Sequence, residues 1–205
     1  MNNYLQLKKF EVKGNVDENY VLLGDNSNAK GLCSLEFWRK SKNNKVTIGD
    51  NFVMNNLKIV FKGDDNKLLI GNDVRLTGHI LIVGNSREVV IGDNSTAQGV
   101  YILSRDADVY IGKECMLSRE IEIRSTDVHK IYDLSTNQRI NNAKNVVIGD
   151  NVWIGARALV SKGAVIPTGS IIGACSFVNK KFEVENSIIA GTPAKVVKSN
   201  IRWER

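Results

Sequence analysis

In the C-terminal half of the chain an aliphatic residue stands at every sixth position. The position four residues after each of them mostly holds a small residue. The aliphatic positions are Ile148, Ile154, Val160, Ile166, Ile172 and Val178, and the positions that follow them are Val152, Ala158, Ala164, Ser170 and Ser176. This period predicts a triangular solenoid in which three hexads form one coil and the small residues let the chain turn at the corners. Each aliphatic side chain is expected to stack on its counterpart one coil away, at a spacing of about 4.8 Å.

A related motif, an aliphatic residue followed by glycine and two mostly polar residues, recurs earlier in the chain. It begins at Leu23, Ile48, Ile70, Ile91, Ile111 and Ile148. Every step between these positions is longer than three hexads, so the early coils must carry extra residues at their corners. The last step is the longest, and it leaves room for a loop about as long as one coil, near positions 124–145. The alternative, a run of ordinary sandwich strands, would not repeat at a fixed interval of six.

The repeats predict three regions. Residues 46–190 form the solenoid, residues 1–45 form irregular N-terminal β coils that cap it, and residues 191–205 form a short tail. The composition fits a solenoid with many tight turns, because the 205 residues include 17 glycines and 23 asparagines. Both residue types tolerate the left-handed backbone conformation of tight turns.

Charge and cysteine usage restrict the partners and the compartment. The net charge of +6 fits an anionic ligand, but the charges are too dispersed to indicate nucleic acid. No apolar run approaches the ~20 residues of a membrane span, so no integral membrane contact is expected. The segment Met1 to Phe10 has no apolar stretch typical of a secretory signal. Cys33, Cys115 and Cys175 are far apart and form no disulfide framework, which favours a reducing, cytoplasmic location.

Three motifs near the C-terminus carry a resemblance to a known family. They read Ser125-Thr-Asp-Val-His129, Asn151-Val-Trp153-Ile-Gly155 and Ile189-Ala-Gly191-Thr-Pro193-Ala-Lys195. With the repeats they resemble the hexapeptide-repeat acyltransferases over about residues 46–200. The resemblance implies an all-β fold, a single-stranded left-handed parallel β-helix with an extruded active-site loop and a short C-terminal tail. Family members often have Ser-Ser-Asp-Gly-His at the first motif, so Thr126 and Val128 depart from the pattern.

The chain lacks features that mark other subgroups of this family. The residues before Ile48 hold no Gly-rich loop of the sugar nucleotidyltransferases, and the segment that follows Gly191 is too short for the helical domain of lipid A acyltransferases. Two histidines, His79 and His129, cannot build the three-histidine zinc site of γ-class carbonic anhydrases, so no metal is expected.

The resemblance therefore implies an acetyl-CoA-dependent O-acetyltransferase acting on a sugar hydroxyl of a bacterial surface polysaccharide, either capsule or lipopolysaccharide. The O-acetyltransferases that the chain resembles include enzymes that act on sialic acid polymers. Two alternatives stay open, N-acetylation of a nucleotide-linked amino sugar and a non-enzymatic β-helix scaffold. The resemblance also implies a homotrimer with active sites between adjacent solenoids.

His129 is the predicted general base. It stands in the loop that interrupts the repeat, and imidazole is the side chain whose ordinary titration range suits a base at neutral pH. His79 lies on a regular coil and is expected to be structural. Asp127, or alternatively Glu122, could orient the catalytic ring. Trp153 should face outward beneath a substrate or a neighbouring subunit, and the resemblance implies that it lines the active site.

Residues that bind coenzyme A are also implied by the resemblance. Ala156 and Ala174 are three hexads apart, so they should stack on successive coils, and both match positions along the pantetheine groove. Asn179, Lys180 and Lys198 match positions near the nucleotide, where lysine suits a phosphate group. The chain has no phosphate-binding P-loop and no GxGxxG motif, so neither ATP nor NAD is implied.

Overall fold

The computed structural model describes residues 10–205, which form strands, turns and loops. The first nine residues of the predicted N-terminal cap lie outside this part. Residues 10–205 contain no helix, and therefore none that could span a membrane. The strands are β1 (Phe10–Gly14), β2 (Tyr20–Leu23), β3 (Asn28–Lys30), β4 (Cys33–Phe37), β5 (Lys45–Ile48), β6 (Val53–Lys62), β7 (Lys67–Ile70), β8 (Arg75–Val83), β9 (Glu88–Ile91), β10 (Thr96–Arg105), β11 (Val109–Ile111), β12 (Met116–Leu117), β13 (Ile121–Arg124), β14 (Val146–Ile148), β15 (Trp153–Ile154), β16 (Leu159–Val160), β17 (Val165–Ile166), β18 (Ile171–Ile172), β19 (Phe177–Val178), β20 (Ile188–Gly191) and β21 (Ala194–Lys198).

The strands wind into a three-sided parallel solenoid, which confirms the predicted architecture. The first face consists of β3, β12, β15, β18, β20 and the N-terminal parts of β6, β8 and β10. The second face consists of β1, β4, β13, β16, β19 and the C-terminal parts of the same three long strands. The third face consists of β2, β5, β7, β9, β11, β14 and β17. Among the described residues, β21 is the strand that pairs antiparallel, and it lies beside β20.

The repeated aliphatic positions fill the interior of the solenoid. The first residues of the six early motifs pair with one another in a single column on the third face. Ile148, Ile154 and Val160 are the inward residues of the third, first and second faces in one coil, and all three are buried. Parallel stacking buries each aliphatic side chain against those of the coils above and below. This burial explains why an aliphatic residue recurs at every sixth position.

The corners account for the abundance of asparagine and aspartate. The fourth residue of the repeated motif has a positive φ at every coil, for example 56° at Asn26 and 51° at Asn151. Where the third residue is Asp or Asn, its side chain accepts a hydrogen bond from the preceding coil, as when Asp25 N donates to Asp50 Oδ1 at 2.7 Å. Short polar side chains therefore serve both the turn and the contact between coils.

Extra residues in the early coils lie where one strand bends around a corner. In β6, β8 and β10 a single long strand covers the first and second faces, with a shift of register between Met54 and Leu57 and between Gln98 and Val100. In the later coils two short strands replace it, and the step between paired residues falls to three hexads, as from Trp153 to Ile171. Strands β1–β4 pair with later strands on the same three faces. The predicted boundaries of the solenoid at residues 45 and 190 stay a prediction.

Candidate active site

The predicted loop leaves the solenoid at the corner between the second and third faces. It begins after β13 and returns to the solenoid at β14. Within it, Tyr132 and Arg139 form an antiparallel bridge. The turn between them is held by Asp133 Oδ1, which accepts hydrogen bonds from the backbone and hydroxyl groups of Ser135 and Thr136. The loop is thus an ordered projection from a rigid edge of the solenoid.

His129 is exposed near the base of this loop. Its backbone is fixed, because His129 N donates to Asp127 O at 2.8 Å and its carbonyl accepts a hydrogen bond from Asn141 Nδ2 at 2.8 Å. Its imidazole makes no hydrogen bond to any group within residues 10–205. The ring is therefore free to meet a hydroxyl from outside the protomer.

Asp127 does not orient that ring in this structure. Its Oδ2 accepts hydrogen bonds from Lys162 Nζ at 2.5 Å and from Asn141 Nδ2 at 3.0 Å. The hydrogen bond from Lys162 is the main cause that holds the pKa of Asp127 below its ordinary value of 3.8. The alternative carboxylate, Glu122, pairs with Arg124. The carboxylate of Asp127 therefore ties the loop to the corner after β16, and a direct role in catalysis stays a prediction.

Val128 occupies a backbone conformation that favours glycine. Its φ is +70°, which a β-branched residue rarely adopts. The family motif described above has glycine at this position, and glycine suits the positive φ that the structure shows here. This turn places His129 two residues after the tethered Asp127.

His79 lies on the second face, far along the chain from the loop. Its ring is 5.4 Å from that of Tyr101, which pairs with it in the next coil. Burial, together with the charges of Lys58 and Lys62, lowers the pKa of His79. These contacts favour the structural role predicted for it, a role that remains to be tested.

Trp153 faces outward from the first face, and the chain itself supplies a cover. The ring centroid of Trp203 lies 6.1 Å from that of Trp153, and the two planes are inclined at 44°. The sequence predicted that a substrate or a second subunit would cover Trp153. The structure shows that the C-terminal tail of the same chain also lies against it. Trp153 Nε1 is buried and has no hydrogen-bond acceptor among the described residues.

Small residues form a strip along the corner between the first and second faces. Ala156 and Ala174 lie on successive coils of this corner, as their spacing predicted. A Cβ on Gly155 would meet Ala174 N at 2.6 Å, and one on Gly173 would meet the Cβ of Ala190 at 2.8 Å, so the coils approach closely here. The backbone N–H groups of Ala156 and Ala174 donate to no group within residues 10–205. The strip therefore offers unpaired backbone donors beside small side chains.

The predicted nucleotide residues do not meet within one protomer. Asn179 and Lys180 follow β19 at the corner between the second and third faces, where Lys180 Nζ lies 5.3 Å from the centroid of the Phe182 ring. Lys198 pairs with Ile188 at the start of β20, across the first face from the strip. All three are exposed.

The same separation applies to the predicted catalytic residues. The loop with His129 leaves the corner opposite the first face, and Trp153 lies on the first face itself. No pattern in the sequence indicated that Asn141 and Lys162 would hold the loop of His129. Nor did any pattern indicate that Arg205 would bind the C-terminal tail to the solenoid, through Asn94 O and Cys115 O. Trp203, a lone tryptophan in the polar tail, is the one sequence signal that points to a contact between the tail and Trp153. No group of three or more potential metal ligands is present in the described part of the chain.

Comparisons with known proteins identify the family. The family model for "Bacterial transferase hexapeptide (six repeats)" matches residues 145–180. The polysialic acid O-acetyltransferase of Neisseria meningitidis is 38% identical over 164 residues, which cover 80% of this chain and 76% of that protein. The crystal structure of the polySia-specific acetyltransferase NeuO superposes with a TM-score of 0.86 at 32% identity, covering 96% of this chain and 89% of the other. That of the polysialic acid O-acetyltransferase OatWY gives 0.81 at 31%, covering 97% and 92%.

These matches confirm the left-handed β-helix, including the handedness that the repeat period alone could not give. They extend well beyond the repeats that the family model covers. The chain therefore belongs to the hexapeptide-repeat family of bacterial transferases, and the relatives that it resembles in sequence and in structure are O-acetyltransferases.

Proposed function

We propose that this protein transfers an acetyl group from acetyl-CoA to a hydroxyl of a sialic acid polymer of the bacterial surface, and that it does so as a cytoplasmic homotrimer. One observation carries the proposal. The loop that interrupts the solenoid presents an exposed, unpaired His129 on a tethered turn, in a chain whose relatives include a polysialic acid O-acetyltransferase. The net charge of +6 suits a polymer that carries a carboxylate on every sugar.

His129 acts as the general base in this proposal. Its ring accepts the proton of the attacking hydroxyl, so that the oxygen can form a bond to the acetyl carbonyl carbon while the thiolate leaves. The proton then passes from the imidazolium to that thiolate. No covalent enzyme intermediate is needed, since the hydroxyl attacks directly. The fixed backbone of His129 supports this role, because the position of the ring depends on Asn141 and on the Asp127–Lys162 contact rather than on loop motion.

Acetyl-CoA supplies the acetyl group as a reactive thioester, and the small-residue strip fits its pantetheine arm. The arm is narrow and carries amide groups, so it needs free backbone donors and no bulky neighbours. Ala156 and Ala174 offer such donors beside small side chains, where the coils approach closely. Asn179, Lys180 and Lys198 serve the phosphorylated nucleotide, where a mobile ammonium group pairs with phosphate. Because these groups lie at different corners of the protomer, we assign the complete site to two neighbouring subunits.

The test is an acceptor screen with matched histidine variants. Acetyl transfer is measured with sialic acid polymers, neutral hexoses and amino-sugar nucleotides, for the wild type, His129→Ala and His79→Ala. We expect transfer to the sialic acid polymer. His129→Ala should lower turnover by about 100- to 10,000-fold, the usual contribution of a positioned base, with coenzyme A affinity nearly unchanged. His79→Ala should change stability alone, because that ring packs on Tyr101.

Other outcomes would replace the proposal. Transfer confined to an amino-sugar nucleotide would make the protein an N-acetyltransferase. An absence of transfer together with an absence of coenzyme A binding would make it a scaffold. A dead His79→Ala beside an active His129→Ala would show that the base has been assigned to the wrong histidine.

A further inference from the structure

The C-terminal tail turns back over the first face and is fastened there by its side chains. Trp203 Nε1 donates a hydrogen bond to Asn151 O at 2.9 Å. The guanidinium of Arg205 donates through Nη2 to Asn94 O at 3.0 Å and to Cys115 O at 2.9 Å. At the other end of the tail, Ile201 N donates to Asn186 O at 2.9 Å.

These contacts lay the tail along one corner of the solenoid. Asn94, Cys115 and Asn151 occupy equivalent turns of three successive coils, each leading from the third face into the first. All of the acceptors on these turns are backbone carbonyl groups, whose positions are set by the coil. The tail therefore has a defined course across the coils, although its last five residues belong to no strand.

Along this course the indole of Trp203 comes to lie against that of Trp153. Trp203 covers the outer side of Trp153, with 6.1 Å between the ring centroids and 44° between the planes, an inclined arrangement within the usual range for aromatic pairs. Trp203 therefore restrains the indole of Trp153 from its outer side. Trp203 is itself held by the hydrogen bond to Asn151, so the restraint does not depend on packing alone.

The restrained indole carries a polar group that lacks a partner. Trp153 Nε1 is buried, and no acceptor for it exists within residues 10–205. Proteins seldom bury an N–H group unpaired, because the group loses its hydrogen bond to water without replacement. The N–H of Trp153 therefore lacks an acceptor that a bound substrate could supply.

We propose that Trp203 is a positioning residue, which acts through Trp153 by holding the indole N–H toward an oxygen of the bound substrates. The C-terminal tail thereby becomes part of the acyl-transfer site. The inference rests on the proposed function. It goes beyond that function because it assigns a role to a segment outside the repeats, and because it separates the residue that contacts the substrates from the residue that orients it.

The first measurement is spectroscopic and independent of activity. Two indoles at this separation couple and give a paired positive and negative band in far-ultraviolet circular dichroism. We expect the band in the wild type and in the control Trp38→Phe, since Trp38 lies on the N-terminal coils against Arg39 and Lys62. Trp203→Leu, which keeps apolar volume without an indole, should abolish the band. A wild type without the band, or a Trp203→Leu protein that keeps it, would overturn the proposal.

The second measurement is kinetic, with acetyl-CoA and a sialic acid polymer. Trp203→Leu should lower kcat by about 10- to 100-fold with little change in KM for either substrate, because a misplaced group costs rate more than binding. Trp203→Phe retains a stacking ring without the donor to Asn151, so it should recover most of kcat. If Trp203→Leu fails to fold, Trp203→Ala takes its place with the same expected loss of kcat, and failure of both to fold would assign the tail to stability instead. Wild-type kcat in both variants, with the band lost, would overturn the inference alone. A wild type that acetylates no acceptor would overturn the proposed function and the inference with it.

Discussion

Val128 adopts the left-handed backbone conformation that glycine suits. The predicted departure from the family motif placed a β-branched residue where glycine is frequent, and the structure gives that residue a φ of +70°. An L-residue in this region is destabilised by about 1–2 kcal/mol through contact of its Cβ with the backbone. The turn persists because Asn141 and Lys162 hold the residues on both sides of it.

Val128→Gly should therefore stabilise the protein. Relief of the backbone contact exceeds the entropy that glycine adds to the unfolded chain, so the free energy of unfolding should rise by about 1 kcal/mol. Urea denaturation measures the change. Val147→Gly is the matched control, because Val147 lies in β14, where glycine should destabilise. A loss of stability in Val128→Gly, comparable to that in the control, would show that the left-handed turn carries no strain.

At the residue scale, the sequence gives a signal where a residue departs from the repeat. His129 stands out because it interrupts the period, and Trp153 stands out because an indole replaces a smaller outward residue. The cover of Trp153 could not be predicted in the same way, because Trp203 is distant from it along the chain and lies in a segment without periodicity. Lys162 gave no signal either, since a lysine at a corner is typical of ordinary surface charge.

At the scale of elements, the loop is an appendage that depends on a charged contact. Lys162 lies at the corner after β16, and its ammonium group reaches Asp127 at the start of the loop. Asn141, near the end of the loop, donates to the same carboxylate and to the carbonyl of His129. One carboxylate thus joins both ends of the loop to the solenoid.

This arrangement predicts a loss of stability in acid. The pKa of Asp127 is lowered in the folded protein, so the contact stabilises the fold above the ordinary carboxyl value of 3.8 and is lost as the pH falls through the lowered value. Thermal unfolding between about pH 6 and pH 2 should therefore show a stability gap between the wild type and Asp127→Asn that closes at the acid end. Asp17→Asn is the control, because Asp17 is exposed and makes no hydrogen bond or ion pair within residues 10–205. A gap that stays constant with pH would contradict this account.

The coils themselves were predictable, and their buried polar column was not. Aliphatic residues at a fixed interval specify inward positions whatever the turns between them contain. Asparagine is ambiguous, because it serves exposed turns and also stacks inside the solenoid. Asn44 Nδ2 donates to Asn19 Oδ1 at 2.8 Å, and Asn66 Nδ2 donates to Asn44 Oδ1 at 2.9 Å, with Asn44 and Asn66 fully buried. Only the register of the coils distinguishes these asparagines from those of the turns.

For the whole molecule, the position of the loop predicts that the proposed site is shared between subunits. His129 projects from the corner between the second and third faces, whereas Trp153 and the strip of Ala156 and Ala174 belong to the first face and its other corner. A rigid solenoid cannot bring these groups together by bending, because each coil is fixed to the next by strand pairing. A second copy beside the first can do so, and cyclic symmetry then gives each subunit one loop to offer and one strip to receive.

A subunit-mixing experiment tests this arrangement directly. His129→Ala removes the base, and Ala174→Trp fills the strip at an exposed position without disturbing the core. Each variant alone should be nearly inactive. Coexpression in equal amounts should restore about a quarter of wild-type activity, because three-quarters of randomly formed trimers are mixed and each mixed trimer holds one site with both groups intact. Sedimentation should show trimers in every preparation. If His129 served the strip of its own protomer, each chain would carry a defect in its own site. Coexpression would then restore nothing, and a stable, active monomer would likewise exclude the shared site.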